Sequence, residues 1–250
     1  MAAILGLVVG SFLNVVIARL PAGGSLWRPG SSCPTCGAAI AWHDNIPVLS
    51  FVLLRGRCRA CRAAISWHYP AVELATAGLF ALAYGRFGLT AEFGLAAALL
   101  AALVAITVID LQHQVIPDAI TLPGVVVGFV ANFVLGRIGW LDSVLGILVG
   151  GGIFWVVLQG SLVVLGQEGM GGGDVKLGAM LGAFLGWQAT LVAVFLAVVA
   201  GGLVALALLS LGRARRKDPI PFGPFLAAAG TTALLWGDKL VAWYFAGLSS

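Results

Sequence analysis

Long apolar segments separated by short polar ones are the feature that most constrains this chain. Hydrophobic residues make up 60% of its 250 residues and charged residues only 10%, whereas a soluble domain is about half apolar and about a quarter charged. The segments that we interpret as membrane spans are 1–20, 70–87, 93–109, 122–135, 144–165, 177–187, 189–211 and 222–236. The sequence therefore predicts an all-α polytopic membrane protein with about eight transmembrane helices.

Two of these segments are short for a bilayer. Segments 122–135 and 177–187 fall below the usual length of about 17 to 25 residues for a transmembrane helix. We expect them to extend into flanking residues or to thin the membrane locally.

The distribution of basic residues predicts the orientation in the membrane. The first segment has Arg19 behind it and no basic residue ahead of it, the reverse of a cleavable signal peptide, so we expect a retained span with its N-terminus outside. Alternating from there, 11 of the 14 Lys and Arg residues fall inside and 3 outside, as the positive-inside rule requires. Asp110 and Asp174 then lie at cytoplasmic ends of spans. This orientation explains the net charge of +4, so the charge does not require a nucleic acid as a partner.

The polar stretch between the first two segments contains the four cysteines of the chain. They form two CxxC pairs with 21 residues between them, namely Cys33 with Cys36 and Cys58 with Cys61. Two CxxC turns complete a closed four-cysteine site, so this zinc-ribbon spacing predicts structural zinc. Disulfides, free thiols and a redox CxxC are the alternatives, but disulfides are rare in the reducing cytoplasm. We expect His43 and His68 to be surface or structural residues.

These features divide the chain into three parts. We predict a first transmembrane helix at 1–20, a small cytoplasmic insert resembling a zinc ribbon at 21–69, and a multi-helix transmembrane domain at 70–250. Because the insert is too small for a large core, metal binding would supply much of its folding free energy.

Two carboxylates next to apolar segments are the main candidates for chemistry, since ionisable groups at membrane depth are usually functional. Asp174 follows three glycines at 171–173, and Asp110 follows segment 93–109. Two facing carboxylates that share a proton provide both a base and an acid, as in aspartic proteases. The alternative is structural: Asp174 would be the N-cap of a helix starting at Val175, the glycines would serve helix packing, and Asp118 would cap the next helix.

Ordered sequence blocks along nearly the whole chain resemble a known family. They are Gly10-Ser11-Phe12-Leu13-Asn14, Ser32-Cys33-Pro34 with Cys36, Trp42, Asn45-Ile46-Pro47, Leu54-Arg55-Gly56, Cys58 with Cys61, Tyr69-Pro70 with Glu73, Ile109-Asp110 with Ile116-Pro117-Asp118, residues 168–177, and residues 219–224. On these blocks the chain resembles the type IV prepilin peptidases, which are bifunctional leader peptidases and N-methyltransferases of the bacterial inner membrane.

The resemblance implies a GxGD-type intramembrane aspartic protease with Asp110 and Asp174 as its catalytic pair. The residues implied in the active-site loops are Gly171, Gly173, Lys176 and Asp118. Asp118 stays a rival of Asp110 as the partner of Asp174. Such enzymes cut a basic leader from prepilins or pseudopilins after a glycine at the cytoplasmic face, and then methylate the new N-terminus with S-adenosylmethionine.

The second activity rests on the resemblance, because the chain has no GxGxxG unit, and no residue is predicted to bind S-adenosylmethionine. Glu73 could serve either activity or pair with an arginine, and we favour the arginine. A carboxylate-dependent transporter and a scaffold subunit of a pilus or secretion machine are the alternative functions. The oligomeric state stays open.

Overall fold

The apolar segments form helices in the computed structural model, which describes residues 1–28, 30–166, 170–213 and 220–248. The helices within these ranges are α1 (Ala2–Arg19), α2 (Leu49–Leu53), α3 (His68–Phe87), α4 (Ala91–His113), α5 (Asp118–Leu135), α6 (Trp140–Leu165), α7 (Gly172–Leu185), α8 (Trp187–Ser210) and α9 (Gly223–Leu248). Every predicted span coincides with one of these helices, the short α2 being the addition. Glu168, Gly169 and residues 215–219 lie outside the described residues.

Five helices are long and apolar enough to cross a membrane, judged over the described residues by length and composition. They are α1, α4, α5, α6 from Trp140 to Val164, and α8. The β-structure in the same ranges is limited to two isolated bridges. The chain is therefore an all-α, multi-pass membrane protein, as predicted.

The chain divides into two compact units, an N-terminal unit of residues 1–105 and a C-terminal unit of residues 106–250. In the N-terminal unit, α1 packs against α3. A Cβ atom at Gly6 would lie 2.6 Å from the Cα of Ala77, and one at Gly10 would lie 2.7 Å from the Cα of Glu73. Small residues let membrane helices approach this closely, so the glycines of α1 fix where α3 and Glu73 lie.

In the C-terminal unit, α7 is the central helix, packed against α5, α6, α8 and α9. Its fully buried side chains are Leu177, Met180, Leu181 and Ala183. Paired glycines bring α7 and α6 into backbone contact: Gly178 lies opposite Gly150, and Gly182 lies opposite Gly146. Each helix thus contributes a GxxxG pair to an antiparallel contact, which fixes the position of α7 along α6.

The C-terminal end of α7 stops inside protein. Asn132 Nδ2 donates to the carbonyl oxygens of Ala183 and Phe184 at 2.9 and 3.2 Å. Ser143 Oγ donates to Ala183 O at 2.9 Å, and Arg137 Nη2 donates to Phe184 O at 2.6 Å. These donors satisfy carbonyls that a helix end would otherwise leave unpaired in lipid. Protein therefore encloses this short helix, which explains why its apolar segment is shorter than a bilayer requires.

Candidate functional site

Asp110 lies in the last turn of α4 and is 5% exposed. Its Oδ2 accepts a hydrogen bond of 2.9 Å from the backbone N–H of Gly223, the first residue of α9. A Cβ atom at position 223 would lie 2.6 Å from the same oxygen. The start of α9 therefore positions Asp110, and only glycine allows this approach. Sequence reasoning missed this role of Gly223, although the proline-rich block around it was a signal.

Asp174 is the third residue of α7 and is 8% exposed. Its carboxylate accepts a hydrogen bond from the backbone N–H of Gly171 and interacts electrostatically with the carboxylate of Asp110. Its Oδ1 atom is buried without a hydrogen-bond partner among the described residues. The helix begins at Gly172 with Gly171 as N-cap, so the structural alternative, in which Asp174 caps a helix starting at Val175, is wrong. Asp174 instead reaches back to the N-cap N–H, as the third residue of a capping box does.

The three glycines before Asp174 differ in their surroundings. A Cβ atom at Gly173 would lie 2.7 Å from the Cβ of Ile116, whereas one at Gly172 would meet nothing within 4 Å. At Gly171 the nearest atom would be Asp174 Oδ2, at 3.7 Å. Close approach to Ile116 therefore requires glycine at position 173. Gly171 and Gly172 leave open space along the backbone beside the Asp174 carboxylate.

Asp118 and Lys176 form an ion pair at the starts of α5 and α7. Lys176 Nζ donates to both carboxylate oxygens of Asp118 at 2.6 Å, and the two side chains are 38% and 54% exposed for Lys176 and Asp118. Pro117 is the N-cap of α5 and Asp118 its first residue, so the prediction that Asp118 is an N-cap is wrong. Of the predicted site residues, the structure therefore brings Asp110 near Asp174, and pairs Asp118 with Lys176.

The four cysteines converge in the insert. The thiol sulfurs of Cys33, Cys36, Cys58 and Cys61 all lie within 4.8 Å of one another, and all four are free. The Sγ atoms of Cys33 and Cys61 are 3.8 Å apart. Zinc–sulfur bonds of about 2.3 Å in a tetrahedron place sulfurs about 3.8 Å apart, so the cysteines fit a metal ion. His43 and His68 stay outside this cluster.

An internal repeat builds the two halves of the cysteine site. Residues 33–43 and 58–68 share both cysteines, two alanines, an isoleucine, a tryptophan and a histidine. The backbone N–H of Cys33 donates to Ala38 O at 2.9 Å, and that of Cys58 donates to Ala63 O at 2.8 Å. Bridges join residues 32 with 39 and 57 with 64. The two CxxC turns therefore have the same backbone hydrogen bonds and present their sulfurs to a common centre.

The cysteine thiols differ in their environments. The backbone N–H groups of Cys36 and Thr35 lower the pKa of Cys33 to about 6. At Cys61 the backbone N–H of Ala63 acts in the same direction, but burial and the neighbouring cysteines raise the pKa to about 11. Four thiolates this close repel one another, and a bound cation would remove that repulsion.

Glu73 belongs to the N-terminal unit and is 7% exposed. Its Oε2 accepts a hydrogen bond of 2.8 Å from the backbone N–H of Val48, and its carboxylate is also hydrogen-bonded to the Ser11 side chain. Glu73 has no arginine partner among the described residues, where the expectation was an arginine. The Val48 N–H comes from a residue with φ +59°, so the carboxylate holds a strained turn of the insert.

Comparison with known proteins agrees with this architecture. Residues 4–87 match the bacterial peptidase A24 N-terminal domain, and residues 97–206 match the type IV leader peptidase family. The chain is 42% identical to a prepilin leader peptidase/N-methyltransferase of Pseudomonas aeruginosa, over 98% of this chain and 93% of that protein. Proteins of the same name from Aeromonas salmonicida and Burkholderia pseudomallei are 40% and 41% identical, covering 95% and 94% of this chain and 90% and 84% of theirs.

No solved structure gives a significant match. The two family models together cover most of the chain, and the relatives are similar over nearly its full length. The chain therefore belongs to the type IV leader peptidase family.

Proposed function

We propose that this enzyme is an intramembrane aspartic endopeptidase that removes the basic leader of a type IV prepilin or pseudopilin after a glycine. The observation that carries the proposal is the pair of buried carboxylates, Asp110 and Asp174, which are 5% and 8% exposed and interact electrostatically. Both residues belong to the C-terminal compact unit. The names of the relatives support the choice of substrate.

The two carboxylates act as one catalytic unit. One proton shared between them leaves one carboxylate to take a proton from the attacking water, while the other gives a proton to the leaving amine. The pair titrates together, so neither role belongs to one residue alone. Asp110 is held by the Gly223 N–H, whereas Asp174 Oδ1 lacks a partner in the described part of the chain. That oxygen is the group that we expect to meet water or substrate.

The Lys176 contact supports Asp110, not Asp118, as the partner of Asp174. Lys176 neutralises Asp118 through both of its carboxylate oxygens, and the Asp118 side chain is 54% exposed. A solvated, paired carboxylate is poorly suited to share a proton with a buried one. We therefore assign Asp118 and Lys176, with Gly171 and Gly173, to the active-site loops that shape the approach to the pair.

We propose that the enzyme resides in the bacterial inner membrane with its active site at the cytoplasmic face. The 11 basic residues assigned to the inside, against 3 outside, support this orientation. The predicted boundaries then assign the cysteine site at 21–69 to the cytoplasm and both catalytic carboxylates to the transmembrane domain at 70–250.

We further propose that the cysteine site holds one structural zinc ion. Four sulfur donors without an open position are typical of structural zinc. Metal analysis of protein purified under reducing conditions should find about one zinc per chain, and Cys33→Ser should release it. Protein that contains no zinc would contradict this assignment.

The name that the relatives share supports a second activity, N-methylation of the new N-terminus with S-adenosylmethionine as methyl donor. The donor supplies an electrophilic methyl group. The residues of this chain must then present a neutral amine to that group.

Purified protein and a synthetic prepilin test the peptidase proposal. Asp110→Asn and Asp174→Asn keep the side-chain shape but remove the shared proton, so each should lower the rate of cleavage by at least about 100-fold. Asp118→Asn should lower it by less than about 10-fold, because its ion pair is exposed. Asp142→Asn, at an exposed carboxylate in the first turn of α6, is the matched control.

The outcomes separate the proposal from its alternatives. A wild-type protein that does not cut prepilin would favour a transporter or a scaffold. Unimpaired cleavage by both Asp110→Asn and Asp174→Asn would refute the carboxylate mechanism. A loss in Asp118→Asn equal to that in Asp174→Asn, with Asp110→Asn active, would make Asp118 the partner.

A further inference from the structure

A cavity of about 860 Å³ lies in the N-terminal unit and is lined by the ends of α1 and α3 together with the insert. Two of its lining side chains, Asn14 and Glu73, are polar and only 7% exposed. The catalytic pair of the proposed peptidase does not line this cavity. Glu73 is hydrogen-bonded to the Val48 N–H and to Ser11, but it has no cationic partner among the described residues, and a buried charge favours an opposite charge nearby.

Asn14, another lining residue of the cavity, has an amide oxygen without a partner. Its Nδ2 donates to Tyr69 O at 3.2 Å, which fixes the orientation of the amide. Its Oδ1 is buried without a hydrogen-bond partner among the described residues. An amide oxygen left in this state loses its hydration without compensation, so it favours a ligand that donates N–H groups.

Glu73 adds a second acceptor. It receives hydrogen bonds from Val48 and Ser11, and a carboxylate offers about four acceptor positions. Arg19 and Arg59 also line the cavity. Arg19 donates to backbone carbonyls of Ser25 and Gly30, and Arg59 is paired with Asp44. Both arginines therefore already have other partners. The Glu73 carboxylate and Asn14 Oδ1 suit an incoming cation with several N–H donors, and an ammonium has three.

We propose that this cavity receives the new N-terminal ammonium of the cleaved substrate and that Glu73 and Asn14 Oδ1 hold it for N-methylation. The inference rests on the proposed function, since leader cleavage creates this ammonium and the second activity consumes it. The apolar residue that carries the ammonium would occupy the part of the cavity lined by Ile40, Ile46 and Ile65.

The chemistry assigns Glu73 a defined step. The ammonium gives one proton to the Glu73 carboxylate and becomes a neutral amine. The amine lone pair then forms a bond to the methyl carbon of the sulfonium donor, the carbon–sulfur bond breaks, and its electron pair stays on sulfur. The product is a methylated ammonium and a neutral thioether, and Glu73 returns its proton to solvent.

Peptide binding tests the cavity without relying on activity. The probe is a fluorescent synthetic peptide with a free N-terminal phenylalanine, and its N-acetylated form is the matched ligand. The wild-type protein should bind the free amine about 10-fold more tightly, because a charge-assisted hydrogen bond in a buried site has about this effect. Glu73→Gln should lose the preference, and Asn14→Leu should weaken it. Glu92→Gln, at an exposed carboxylate in the first turn of α4, should keep it.

Activity supplies the second readout, with prepilin cleavage measured on the same preparations. In Glu73→Gln, methylation should fall about 10-fold more than cleavage. Equal binding of the free and acetylated peptides by the wild type would overturn the proposal, whatever the variants do. Methylation by Glu73→Gln at the wild-type rate would also overturn it. A wild type that prefers the free amine but transfers no methyl group would remove the methyltransferase function and leave the amine site in place.

Discussion

The backbone contact between α6 and α7 makes a sharp prediction at Gly178. A Cβ atom there would lie 2.5 Å from the carbonyl oxygen of Gly150 and 2.5 Å from a ring carbon of Phe154, whereas ordinary contact begins at 3.4 Å. Gly178→Ala therefore requires a displacement of about 0.9 Å, the difference between these values. Overpacking of this kind costs about 1 to 3 kcal/mol.

The same displacement acts on the proposed active site, because Gly178 lies one helical turn after Asp174. A misplacement of about 1 Å at a catalytic group lowers rates by up to about 100-fold. We therefore expect Gly178→Ala to reduce prepilin cleavage by about 10- to 100-fold. Its melting temperature should fall by about 2 to 12 °C, at about 2 to 4 °C per kcal/mol.

The assay combines cleavage kinetics with thermal unfolding in detergent micelles, followed by tryptophan fluorescence. Gly152→Ala is the matched control, since a Cβ atom at this α6 position meets nothing within 4 Å. The control should be neutral or more stable by up to about 1 kcal/mol, because alanine favours helix more than glycine. If Gly178→Ala is as stable and as active as Gly152→Ala, glycine contact does not position α7, and our reasoning about the site fails.

Three further predictions concern single residues. Gly223→Ala would place a methyl group 2.6 Å from Asp110 Oδ2 and, if Asp110 has the proposed role, should lower cleavage about 10-fold or more, whereas Gly237→Ala, with its nearest contact at 3.4 Å, should not. Gly37→Ala, at φ +71°, should destabilise the insert with its proposed zinc by about 1 kcal/mol, measured by the resistance of the bound metal to a chelator. Arg59 lowers the pKa of Asp44, so a chemical-shift titration should show a higher Asp44 pKa in Arg59→Gln. The stabilisation from this pair is present above the ordinary carboxyl pKa of about 4 and should disappear as pH falls through the lowered value.

Apolar segments predicted the number and order of the long helices because burial in lipid requires them. Their ends were less predictable. The start of α7 at Gly172 could not be recognised from the hydropathy pattern, because the glycines and polar residues there lower the local hydropathy and resemble a loop. For the same reason an N-cap role was the structural alternative considered for Asp174, although it is the third helical residue.

Contacts between distant residues could not be predicted from a single sequence. The pairing of Lys176 with Asp118, and of Glu73 with the Val48 N–H, depends on how helices and insert pack. By contrast, the repeat at 33–43 and 58–68 and the GxxxG pair at 178–182 are visible in the sequence. The repeat indicates the symmetry of the cysteine site, and the glycine pair indicates close helix packing.

The enclosure of α7 bears on how a membrane enzyme can use water. Hydrolysis requires polar groups at the depth of the active site, yet unpaired backbone groups in lipid are costly. Here Asn132, Ser143 and Arg137 satisfy the C-terminal carbonyls of α7, so the helix can end inside protein. Its N-terminal end carries Asp174, whose Oδ1 is buried without a partner in the described residues. Within α7 itself, the buried side-chain oxygen without a partner among the described residues is therefore that of Asp174, where the proposed hydrolysis would use it.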